Sequence, residues 1–442
     1  MKFTNNMNEF IEFMDNKKFN YNINKLKLYN KTLDKNKKIL EGNSKHTNND
    51  FDHVLENLYN DFDEAYNYYK TQKGIYKSKL FDIQIKNINH VNDIPKSKEL
   101  FDSIYVSKNA HEVINNESDY SITYKFKIHE REVTIIFITC NENIVFNIDK
   151  YNTYMENIYI WFYIASKHAS SQCSKKVMVY IYLTNLKRML PKSNISILEQ
   201  ENVNGGVSNV CAVNFLSEIV IYRREEWFKV LIHETFHNYG LDFSSSNIGD
   251  VKGKFKELFP IKSDMLIFEA YTEFWGEMLN ICFICYFASL NSKEDSKNKF
   301  MVLTRELIKL EKSYSLLQMV KILNFMGLEY TDLYKKNEIS SLKRNNLYKE
   351  NTNVFPYYIL KSILMYFCED FLIWNNTNNI SLLRFNKTNS NITKFYDFIQ
   401  EKHNNKYFVQ DVKKMEKYHL NLLKTNNHRL NTTLRMSVCE VY

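Results

Sequence analysis

Apolar positions along the chain change their period several times, and those changes divide it. Phe51, Leu55, Leu58, Tyr59, Phe62, Tyr66 and Tyr69 recur at helical spacing. They predict one helix inside an Asn- and Lys-rich N-terminal accessory region, residues 1–95. Ser121–Ile128 and Val133–Thr139 are β-branched and aromatic runs flanking His129-Glu130-Arg131, the pattern of a hairpin. An apolar helix from about Tyr154 to Ala169 follows, then a strand over Val177–Leu183 and a loop with Asn204-Gly205-Gly206. A further strand, Ser217–Tyr222, runs into a helix beginning near Arg224. Past Pro260 the strong segments, 262–290, 293–325, 356–374, 391–403 and 408–425, all read as helix. The predicted class is α+β, with a mixed strand-and-helix region over 96–292 and a helical region over 293–442. No internal repeat is found, and the Asn-rich stretches 375–392 and 426–432 read as exposed connections.

Composition supports helix. Among 442 residues there are only 9 Gly and 4 Pro against 31 Tyr and 31 Phe, which excludes collagen-like and turn-dense repeat architectures. The net charge of +8 comes from Lys scattered among Asn, Ile and Tyr, residues that share A/T-rich codons. With no tight basic cluster beyond Lys35, Lys37 and Lys38, a nucleic-acid partner is not expected. Seven cysteines at irregular spacing differ from a secreted disulfide framework and point to reducing surroundings. The N-terminal residues carry Asn and Glu where a signal peptide has an apolar core. The best candidate span, Phe274–Leu290, contains Glu277 and is too short to cross a membrane. An intracellular protein without a membrane span is expected.

The chemistry concentrates in His233-Glu234-Thr235-Phe236-His237. Two His four residues apart on a helix project from one face, so both imidazoles can reach one ion, and Glu234 stands where a water on that ion would be. Trp227–Ile232 is apolar nearly all round, predicting a buried, rigid helix, and Gly240 suits its left-handed stop. Catalytic zinc takes three protein ligands, and three acids compete for the third place. Glu269, Glu273 and Glu277 share one face of an apolar helix, where carboxylates need a partner. Glu269 as ligand would leave Glu273 to accept the spare ring N–H of a ligating His; the reverse assignment fits the spacing equally. The third candidate, Asp242, lies one residue out of register with the extended zincin pattern, whose ligand position is held here by Phe243.

These residues resemble the gluzincin metallopeptidases, whose thermolysin-like, lethal-factor-like and clostridial neurotoxin members share an H-E-x-x-H helix and a downstream Glu. The resemblance covers roughly residues 175–290. The runs Glu218–Val230 and His233–Phe243 are similar to metallopeptidases of nucleocytoplasmic large DNA viruses. The resemblance implies a zincin-like fold, Zn2+ held by His233, His237 and Glu269, Glu234 as catalytic base, and a peptide or protein substrate. A viral protein of this kind would act in the host cytoplasm or the virion. It also implies that the strand before the active-site helix lines the cleft. An exposed edge there would bind peptide by strand addition, with Ile219 and Ile221 on one face and Val220 and Tyr222 on the other.

Weaker signals remain. In Phe355-Pro356-Tyr357-Tyr358 the proline suits a first helical position. Either phenol, Tyr357 or Tyr358, would serve as the oxyanion donor common in this fold group. Cys282-Phe283-Ile284-Cys285 reads as core packing. The expected activity is zinc-dependent peptide hydrolysis. The rivals are a non-enzymatic viral structural or binding protein retaining a zinc site, and a basic nucleic-acid-associated protein with structural zinc. Glu234 argues against both, because a structural site has no use for a base.

Overall fold

The computed structural model describes residues 8–12, 49–141, 147–213, 215–290, 295–425 and 428–440. Lys35, Lys37 and Lys38, with residues 1–7 and 13–48 of the accessory region, lie outside them. The chain folds as α+β around a mixed six-stranded sheet of order β1-β2-β3-β4-β6-β5. The strands are β1 Asp82–Asn87, β2 Ser118–Ile128, β3 Arg131–Cys140, β4 Lys176–Tyr182, β5 Gly206–Ser208 and β6 Leu216–Ile221. β1, β2 and β3 pair antiparallel, β3 to β4 and β4 to β6 run parallel, and β5 closes the far side antiparallel to β6.

The expected hairpin is β2/β3, turning at His129, which adopts a left-handed φ of 49°. β4 and β6 are buried on both faces, as parallel strands between layers must be. Ile219 and Ile221 enter the main core while Val220 and Tyr222 enter a smaller one, beside Phe101, Val106 and Ile114. The alternation expected for this strand is therefore real, but β6 is not an edge: it lies between β4 and β5. The free edge next to the helix is β5, which periodicity could not reveal because it is three residues long. β1 is the other unforeseen strand, and its six residues are all exposed.

The helices used below are α1 Asn49–Tyr76, α2 Lys108–Glu117, α3 Ile148–His168, α4 Trp227–Asn238, α5 Gly249–Leu258, α6 Phe268–Leu290, α7 Ser296–Phe325, α8 Glu338–Leu347, α9 Lys361–Tyr366, α10 Cys368–Asn378, α11 Asn389–Lys402 and α12 Lys406–Leu422. The apolar stripe of α1 joins the main core, with the Phe62 ring 4.7 Å from Phe283 of α6. The helix expected over 262–290 starts only at Phe268, and α5 precedes it. The helix expected over 356–374 is broken into a π-helical turn, Phe355–Leu360, then α9 and α10. The 375–392 stretch is not wholly an exposed connection, since Asn375, Leu383 and Phe385 are fully buried.

After α12 the chain threads Thr433–Cys439 through the interior. Buried carboxylates cap its backbone: Ser437 N–H donates to Glu226 (2.7 Å), and Val438 and Cys439 N–H donate to Glu311 (3.0 and 2.8 Å). Cys173 and Cys211 form a disulfide joining the segment before β4 to the β5–β6 loop, a cross-link that the irregular cysteine spacing does not predict. The Cys282 and Cys285 thiols are free and buried. No helix among the described residues is long and apolar enough to cross a membrane.

Candidate metal centre

Strand β6 delivers the chain into α4, all twelve residues of which are buried. The four-residue spacing stacks His233 and His237 on the face that meets α6, and their Nε2 atoms lie 3.2 Å apart. Glu269, in the first turn of α6, brings Oε2 to 3.2 Å from His233 Nε2 and 3.3 Å from His237 Nε2. Ligand atoms placed tetrahedrally about 2.0–2.1 Å from an ion lie about 3.3 Å from one another. The three donors therefore have the mutual spacing that such an ion demands, and this buried cluster can hold a metal.

The far side of each ring is also occupied. His233 Nδ1 lies 3.0 Å from Glu273 Oε2, and the other oxygen of Glu273 accepts from Lys229, one turn before His233 on α4. His237 Nδ1 lies 2.5 Å from Asp242 Oδ2, and Asp242 in turn accepts from Ser244 at 2.8 Å. The hydrogen bond to Asp242 favours the His237 tautomer that leaves Nε2 free for an ion, while Glu273 stands at ion-pair distance from His233 Nδ1 without a well-formed hydrogen bond. Among the three acids weighed from the sequence, the structure thus brings Glu269 to the Nε2 side and sets Glu273 and Asp242 behind the imidazoles.

Charge follows from these contacts. Burial would lift the Glu269 carboxyl, but His237 and His233 outweigh it and hold the group far below the carboxylate range. Burial would likewise raise Glu273, which Lys229 and His233 depress. His237 is driven well above its ordinary value, because Asp242 and Glu269 overcome the burial that would lower it. Ionised carboxylates facing imidazoles make a donor set with a strong preference for a cation.

Glu234 is buried and turns toward the sheet, where Ser208 of β5 donates to its Oε2 at 2.8 Å. Burial lifts its carboxyl above the usual value, against the opposing pull of His233, His237 and the Ser208 hydroxyl. A small cavity beside it is lined by His233, Glu234, Gly205, Gly206, Tyr357 and Met436. Tyr357 enters from the π-helical turn, a kind of element often found at functional sites. Its hydroxyl donates to Glu269 Oε2 at 3.1 Å, and its ring stands 5.8 Å from His233. Burial, then Glu269, raises that phenol well above its ordinary value, so it stays a donor. Tyr358 is elsewhere: the next residue on a helical turn points away, and its hydroxyl is committed to the Leu434 carbonyl at 2.6 Å.

Sequence reasoning missed Lys229 and Ser208. Lys229 had a signal, since a lysine in the apolar run Trp227–Ile232 needs a buried carboxylate. Ser208 had none. Comparison of the chain with family models, with curated proteins and with solved structures finds no match.

Proposed function

We propose that this chain is a zinc-dependent peptidase of gluzincin type acting on peptide or protein substrates. The observation that carries the reading is the tetrahedral spacing of His233 Nε2, His237 Nε2 and Glu269 Oε2, beside a glutamate that takes no part in it. Three protein donors leave a fourth position open, as catalytic rather than structural zinc requires. When bound, zinc supplies a Lewis acid that polarises a carbonyl and lowers the pKa of water.

The remaining work belongs to the chain's own side chains. Ser208 occupies Glu234 Oε2, which leaves Oε1 to take a proton from the attacking water and return it to the leaving amine nitrogen. A carboxyl lifted by burial is a better base than an ordinary one. Tyr357 is the donor assigned to the carbonyl oxygen as negative charge builds there. The free edge of β5 offers backbone groups to an extended peptide, which would lie across Glu234.

Metal analysis of protein purified without chelator should find about one zinc per chain. Glu234→Gln should keep that zinc while hydrolysis in a peptide library falls at least about 100-fold. A folded protein that refuses added zinc, or a Glu234→Gln variant as active as wild type, sinks the proposal.

A further inference from the structure

The shortest strand of the sheet makes the most direct contact with Glu234. In β5 side chains alternate between faces, so Gly206 and Ser208 share the face over α4 while Val207 packs on the opposite core. At Gly206 the absence of a side chain is what allows the approach. A Cβ there would lie 2.9 Å from the Val220 carbonyl oxygen and 3.0 Å from Glu234 Cγ, distances that would push strand and helix apart. Two residues on, the Ser208 hydroxyl fills the same face and reaches the Glu234 side chain at 2.8 Å and its backbone carbonyl at 3.1 Å.

The backbone of β5 alternates too. Tyr222 N–H donates to Gly205 at 3.0 Å and Asn209 N–H donates to Glu218 at 3.1 Å, so the odd-numbered residues face β6. Gly206 and Ser208 turn their N–H and C=O groups to the free edge. Ser208 therefore has its side chain on the glutamate and its backbone where an added strand would pair.

We infer that Ser208 is a positioning residue for Glu234, holding Oε2 so that Oε1 alone is presented to the reacting water. The inference rests on the peptidase reading and assigns a role to a residue outside the H-E-x-x-H motif. A glutamate side chain has three rotatable bonds, and a misplacement of about 1 Å can cost on the order of 100-fold in rate. Removing one orienting hydroxyl while the buried walls remain should cost less, about tenfold.

The test uses the zinc-loaded full chain and a fluorogenic peptide chosen from those the wild type cleaves. Ser208→Ala should lower kcat about tenfold with KM within about twofold, and zinc content and Tm should stay at wild-type levels. Ser208→Thr, which keeps the hydroxyl, should restore most of kcat. In a Glu234→Gln background Ser208→Ala should cause no further loss, since the group it positions has gone. Wild-type kinetics in Ser208→Ala overturn the inference, as does equal damage in Ser208→Thr or the same loss in the Glu234→Gln background. Loss of zinc or of fold in Ser208→Ala also overturns it, assigning the residue a structural role. These results leave the peptidase reading standing. A zinc-loaded wild type that cleaves nothing removes that reading, and the inference with it.

Discussion

Two imidazoles, three acids and a lysine make up the candidate metal centre, and their contacts predict unequal effects of removing them. Glu269 is the acid whose oxygen faces both Nε2 atoms, so Glu269→Ala should abolish tight zinc binding. Asp242 is hydrogen-bonded to His237 Nδ1 and Glu273 stands 3.0 Å from His233 Nδ1, so Glu273→Ala and Asp242→Ala should each weaken zinc affinity about 10- to 100-fold. Competition against a chelator on the folded variants measures all three. Loss of tight binding in Asp242→Ala with retention in Glu269→Ala would reverse the assignment. The same residues show what a sequence can disclose. His233, Glu234 and His237 are legible because their geometry is contained in one helical turn. The acid ladder on α6 is legible as a set, but Glu269 and Glu273 share a face, and only the crossing of α6 over α4 tells them apart. The role of Asp242 was hidden because the turn at Gly240, with φ of 60°, carries the chain back behind His237, and residue spacing does not record that path. For the phenols the helical turn decides: adjacent residues point in different directions, so Tyr357 reaches Glu269 while Tyr358 reaches the Leu434 carbonyl.

The edge strand gives the prediction at the scale of an element. Periodicity made β2, β3, β4 and β6 legible, while β5, at three residues, reads only as a turn after Asn204, and β1, six exposed residues with two apolar positions, was passed over as part of the polar N-terminal region. Under the proposed peptidase reading, the edge available to an extended peptide is therefore β5 rather than β6. With β6 enclosed on both sides, a proline in it would break ladder hydrogen bonds of the core rather than a docking edge. Gly206 is the informative position. Gly206→Ala places a methyl against the Val220 carbonyl, Val230 Cγ1 (2.9 Å) and Glu234 Cγ, and so should move β5 off the base. Peptide hydrolysis should drop by about tenfold or more while zinc binding, whose three donors lie on α4 and α6, stays at wild type. Wild-type kcat/KM in a folded Gly206→Ala protein would show that contact of β5 with Glu234 is not needed. Among the late helices, those expected over 293–325, 391–403 and 408–425 match α7, α11 and α12 closely, but their number was not legible: α8 was unforeseen, and local apolar periodicity continues through the π-helical turn at Phe355–Leu360 and the break at Phe367.

Across the whole molecule, the interior behind the metal centre is charged to a degree that composition does not announce. Lys229 pairs with Glu273, Lys361 with Glu277 and Arg188 with Glu226, all buried. Lys321 of α7 is buried without such a partner. Its Nζ donates to Gln318 Oε1 at 2.9 Å and to the Thr433 carbonyl at 2.7 Å, and among the described residues it has no ion pair with a carboxylate. It anchors the start of the buried C-terminal segment, and burial alone lowers its amine from 10.5 to about 7. His419 of α12 feels the charge of Lys321 and is itself lowered to about 4, chiefly by burial. Below pH 7 both folded and unfolded chains carry the proton, and the fold bears the full cost of a buried charge. Between pH 7 and 10.5 the folded amine has shed a proton that the unfolded chain still binds, so this cost relaxes as pH rises. Lys321→Met removes the charge and keeps the bulk, losing one anchor to Thr433 at every pH. Relative to wild type, the variant should therefore gain stability as pH falls from 9 to 6, by on the order of a few kcal/mol. Denaturant unfolding of both proteins at the two pH values measures that change, and measuring the difference between them cancels the titrations they share. A gap independent of pH would mean that Lys321 remains charged in the fold, with water or a carboxylate reaching it.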